Sequence, residues 1–98
     1  MIETLELGDT IQFTFQSSIQ PDSAPSVALY RSDQSTETLI NSMTSVTSDV
    51  THYFGVFTMP ESDQFVILEW NALSTLNGTQ YPFVKRMLFN VAKTRGPR

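Results

Sequence analysis

The chain is expected to fold as an all-β sandwich of about seven short strands, and three features of the sequence predict it. The first is Thr10-Ile11-Gln12-Phe13-Thr14-Phe15-Gln16. Its apolar and polar residues alternate without a break, the period of a strand with one face buried. The second is the spacing of turn-forming residues, which separate short apolar runs at regular intervals along the chain. The third is Asn77-Gly78 between two runs of β-formers. A type I′ hairpin requires positive φ at both central residues, and these two supply it.

The elements follow in order. Residues 2–7 read as a first strand, closed by Gly8-Asp9. The alternating segment 10–16 is the second. Pro21-Asp22-Ser23-Ala24-Pro25 is a loop, because two prolines bracket it. Residues 27–30 form the third strand, 31–34 a turn, and 38–41 the fourth strand. Ser and Thr dominate residues 32–51, yet Leu39, Ile40, Met43, Val46 and Val50 are spread through them, which argues for structure. Residues 52–58 are rich in β-formers and stop at Met59-Pro60. After a turn at 61–64 comes a strand at 65–72 with the single tryptophan, Trp70. The closing strand is 83–91. Its alternation of Phe83, Lys85, Met87, Phe89 and Val91, directly after a hairpin turn, favours a strand over a helix.

At 98 residues there is room for one domain. The expected division is a sandwich over 1–92 and a basic tail over 93–98. There are no cysteines, so disulfide staples and thiolate sites are excluded. The opening Met1-Ile2-Glu3 lacks the basic and apolar regions of a secretion signal, so no secretion is expected. The longest apolar run, Phe65-Val66-Ile67-Leu68, is far below the roughly 20 residues of a spanning helix, so no membrane partner is expected. The formal net charge is −4, unevenly spread: all ten acids precede residue 85, where Arg31 is the only base, and the other five bases follow. An acidic body repels nucleic acid.

Two stretches resemble immunoglobulin-like modules: Gly8-Asp9-Thr10-Ile11-Gln12-Phe13-Thr14-Phe15, and Phe57-Thr58-Met59-Pro60 followed after a turn by Phe65-Val66-Ile67-Leu68-Glu69-Trp70. In bacterial and phage modules of this kind an early strand begins after Gly-Asp, and a late strand follows a Met-Pro turn. The cysteine pair of antibody domains is missing, and the tryptophan sits in a late strand. The resemblance implies an Ig-like antiparallel β-sandwich. Cysteine-free modules of this size are similar to accessory structural proteins of tailed-phage particles. By that resemblance the chain would be a virion component, made in the host cytoplasm, that decorates a capsid or builds a neck, tail or fibre. Its partners would be other virion proteins or copies of itself. The rival reading is a module that binds carbohydrate or a host surface, for which an exposed Trp70 platform would be the mark.

No residues point to catalysis. His52 is the only histidine, and nothing like a nucleophile elbow accompanies the serines and aspartates. Zinc is implausible with one histidine and no cysteine. Glu61-Ser62-Asp63 is the nearest approach to a calcium loop, and it lacks the EF-hand pattern. The four glycines are scattered and cradle no phosphate. No catalytic, metal-binding or cofactor-binding residue is therefore expected, and no cofactor.

One feature exceeds what a core requires. In 65–70, Val66, Leu68 and Trp70 oppose Phe65 and Ile67. In 53–57, Phe54 and Val56 oppose Tyr53 and Phe57, and in 83–91, Val84 and Leu88 oppose Phe83, Met87 and Phe89. A sheet apolar on both faces is covered by something. Either the segment 32–51 folds over it or another subunit does. The candidate partner interface is Phe65, Ile67, Phe54 and Val56, with Lys93, Arg95 and Arg98 reaching an acidic neighbour.

Overall fold

The structure is a computed structural model that describes residues 2–33, 35–47 and 51–93. All regular structure in these residues is β. The strands are β1 (Glu3–Glu6), β2 (Thr10–Gln16), β3 (Ser26–Ser32), β4 (Glu37–Thr44), β5 (Val46–Thr47), β6 (His52–Thr58), β7 (Gln64–Leu76) and β8 (Thr79–Ala92). They form a five-stranded sheet in the order β1-β8-β7-β3-β4 and a three-stranded sheet in the order β2-β6-β5. The two sheets make the expected sandwich.

Three details differ from the sequence expectation. There are eight strands, the addition being the two-residue β5. The β1–β8 pair is parallel, whereas all other pairs are antiparallel. The chain changes sheets at Gly8, whose φ of 73° makes the sharp turn that leaves β1 beside β8 rather than beside β2. Lastly, β7 and β8 are longer than expected. Their ladder runs unbroken from Gln64↔Val91 to Leu76↔Thr79, closed by Asn77 (φ 51°) and Gly78 (φ 80°). These are the two positive φ values that a type I′ turn demands. The extended hairpin helps to stretch the molecule to 55 Å in its longest dimension.

β7 organises the core. Val66, Leu68, Trp70 and Ala72 alternate inward and are buried. Trp70, 1% exposed, stacks on Phe15 of β2 with ring centroids 5.2 Å apart and 17° between planes. Phe13 packs against Phe89 at 5.5 Å and Phe57 at 6.5 Å, so the same strand also locks onto β8 and β6. Gly55 on β6 is there for lack of space, since a Cβ would stand 2.7 Å from Cγ1 of Val27.

The loop before β3 is fastened to the hairpin through Asp22. Its carboxylate accepts from the Thr75 amide (3.0 Å), the Thr75 hydroxyl (2.8 Å) and the Gln80 amide nitrogen (2.9 Å). Its own N–H donates to the Leu73 carbonyl at 2.7 Å. The Gln80 and Thr75 side-chain bonds, in that order, hold the Asp22 carboxyl below its ordinary value of 3.8.

Three outcomes are expected. Trp70→Ala should lose about 3–5 kcal/mol, a large share of the roughly 5–15 kcal/mol typical of a domain, by denaturant melting. Gly78→Val should lower the melting temperature, since a β-branched residue resists positive φ; an unchanged melt contradicts the turn. The Asp22 clamp should hold above pH 3.8 and release as the pH falls through the depressed value, because only the carboxylate accepts all three bonds. In an NMR titration the Thr75 amide should move only below pH 3.8, and Asp22→Asn should displace it at neutral pH. A Thr75 amide that titrates higher argues against the clamp.

Candidate interaction surface

Because side chains alternate along a strand, the residues between the buried ones of the larger sheet line its outer face. Register then brings four of them into one row. Leu88 on β8 pairs with Ile67 on β7, Ile67 with Tyr30 on β3, and Tyr30 with Leu39 on β4. This apolar row crosses four strands. Leu88 is 42% exposed and Leu39 54%, with Ile67 and Tyr30 half-buried between them. Phe65, 46% exposed, lies beside it and shares a shallow hollow with Ile2 and Leu88.

Arg86 borders the row. Its Nε donates to Glu69 at 2.8 Å, and its terminal nitrogen pairs with Glu37. The guanidinium therefore ties β8 to β7 and β4. The Glu37 hydrogen bond is the chief cause that raises the Arg86 pKa above its ordinary value, against a smaller effect of burial. Glu69 also accepts from the Asn71 amide at 2.8 Å. Arg86 thus bridges two carboxylates of this face, and the trio keeps one negative charge in excess.

Residues 35–47 are not a lid. β4 lies in the sheet, hydrogen-bonded to the edge of β3, and β5 pairs with the edge of β6. Of the described residues, neither strand crosses the outer face. Covering by the chain's own middle segment, one of the two explanations for the two-faced strands, is overturned for residues 35–47. The reason is that backbone N–H and C=O groups in this segment find partners by extending a sheet, whereas a lid would leave them unpaired.

The candidate interface residues do not form one patch. Phe65 and Ile67 lie on the outer face of the larger sheet. Phe54 and Val56 lie on the outer face of the smaller one, on the opposite side of the sandwich, where Phe54 pairs with Thr14 and Val46. Lys93 is exposed just after β8. Arg95 and Arg98 fall outside the described residues. Tyr30 and Leu39 belong to the row and were not singled out from the sequence. Their signal is the pairing of 27–30 with 38–41, which makes them neighbours once the hairpin register is known.

His52 is exposed at the start of β6, with its Nδ1 at 3.5 Å from the Thr51 hydroxyl. Among the described residues no group of three or more His, Cys, Asp or Glu is placed to hold a metal ion, and no helix is long and apolar enough to cross a membrane. Trp70 is buried and offers no platform to a sugar. No protein-family profile matches the chain, and neither curated proteins nor solved structures give a match.

Proposed function

We propose that this domain is a non-catalytic structural module that assembles with copies of itself through the outer face of its five-stranded sheet. The observation that carries the reading is the apolar row Leu88–Ile67–Tyr30–Leu39, with Phe65 beside it, left uncovered by the described chain. A surface of this kind is self-complementary, as a two-fold interface requires. The ion pairs of Arg86 fix Glu37 and Glu69 at its margin, where the one negative charge in excess stays solvated. A second copy brings a face of the same chemistry.

The setting we propose is a tailed-phage particle, in which the module decorates a capsid or contributes to a neck or tail. Its support is the resemblance of the Gly8–Phe15 and Phe57–Trp70 stretches to such modules. The concentration of bases after residue 84 supports a secondary, salt-sensitive role for Lys93, Arg95 and Arg98 in orienting an acidic neighbour. Burial of Trp70 counts against the carbohydrate-binding alternative.

Light scattering over a range of concentrations tests the reading. The unaltered chain should associate, while Phe65→Lys and Ile67→Lys should remain monomeric with melting temperatures close to the parent's. Val56→Lys, on the opposite face, should associate as the parent does. A parent that stays monomeric throughout, or an Ile67→Lys variant that still associates, contradicts the proposal.

A further inference from the structure

The smaller sheet is too narrow to cover the larger one. β2 is its last strand on one side, and Phe13 and Phe15 of β2 sit on Phe89 of β8 and Trp70 of β7. Past β2 the larger sheet continues through β8 to β1. Two clefts run end to end along the outer side of β2. One, of about 250 Å³, is lined by Ile11, Phe13, Leu5, Met87 and Glu3 among others. The next, of about 220 Å³, is lined by Phe15, Gln16, Phe83 and Lys85 with their neighbours. Met87 and Phe83 share their side of β8 with the buried Phe89 and Val91, so they point into the sandwich. They are nevertheless 40% and 37% exposed.

The other wall of both clefts is a strand edge. Among the described strands β2 pairs with β6 alone, so alternate N–H and C=O groups over seven residues face the clefts without a ladder. β2 also lacks what edges commonly use to refuse a neighbour: Thr-Ile-Gln-Phe-Thr-Phe-Gln has no charge, no proline and no bulge against β6. The other edges differ. β1 carries Glu3 and Glu6, β5 is two residues long, and the edge of β8 that β1 leaves bare, before Phe89, carries Pro82, Lys85 and Arg86. β4 is exposed along nearly its whole length, so a strand added there would cover no core.

An occupant must therefore offer main-chain donors and acceptors at strand spacing and apolar side chains at alternate positions. We infer that β2 accepts an added strand from a partner polypeptide, which pairs along Thr10–Gln16 and lays its apolar side chains on Met87 and Phe83. Lys85 at one end and Glu3 at the other select a strand that is acidic towards Gln16 and basic towards Thr10. This surface is separate from the outer face of the larger sheet.

The probe is a synthetic peptide of alternating valine and threonine, with aspartate first and lysine last, titrated into the full chain and followed by amide NMR. Binding antiparallel to β2 places its aspartate by Lys85. The amides of residues 10–16 should shift and exchange more slowly with solvent. Met87→Glu should weaken binding roughly tenfold or more, because it sets a carboxylate against an apolar strand. Met87→Gln serves in its place if the glutamate variant does not fold. Phe65→Lys should leave peptide binding unchanged, which separates this inference from the assembly proposal. Absence of any shift along β2 at millimolar peptide, or binding that neither Met87 variant weakens, overturns it.

Discussion

Five strands cannot be covered by three. Strands within a sheet lie about 4.8 Å apart, so a three-stranded layer leaves roughly two strand widths of the larger sheet without an opposite number. That mismatch governs most of what is distinctive in this molecule. It places the one well-sealed region where β2 and β6 lie over β7, and there the Phe15–Trp70 stack and the Phe13–Phe89 contact close the core. It leaves inward-facing Met87 and Phe83 short of cover. It also makes β2, a regular and uncharged strand, an edge.

The outer face of the larger sheet raises a different question, since covering it is not the smaller sheet's task. A solvated outer face is ordinarily polar. Here Arg86 serves both Glu69 and Glu37, while Leu88, Ile67, Tyr30 and Leu39 line up across the strands. Apolar residues scattered singly on a surface need no explanation, but a row in register across four strands is a patch. An acidic chain would ordinarily repel its own copies, and on this face Arg86 offsets one of the two negative charges of Glu37 and Glu69.

Strand identity was legible wherever one face is buried, because burial is what writes alternation into a sequence. β2 and the inward half of β7 show it, and Trp70, Phe13, Phe15 and Phe57 are core residues as their alternation implies. β4 was harder. Glu-Thr-Leu-Ile-Asn-Ser-Met-Thr is exposed on both sides except at the half-buried Met43, so no period marks it and its role as an edge strand was not readable. The start of β8 was obscured by Pro82, which would break an interior ladder. It is tolerated because β1 joins β8 only from Phe89 onward, so the missing donor has no neighbour to serve. Which apolar faces coincide was not legible at all. Phe54 and Phe65 look alike in sequence, yet one belongs to each sheet, and pairing register alone sends them to opposite sides of the sandwich.

The central claim is that the outer face of the five-stranded sheet is buried when the protein assembles. Hydroxyl-radical footprinting of the unaltered chain, at low micromolar and near-millimolar concentration, addresses it residue by residue. The account predicts that Phe65, Tyr30, Leu88 and Leu39 lose reactivity at the higher concentration, while Phe54 and Val56 keep theirs. Equal oxidation of the first group at both concentrations, or protection confined to Phe54 and Val56, would contradict it.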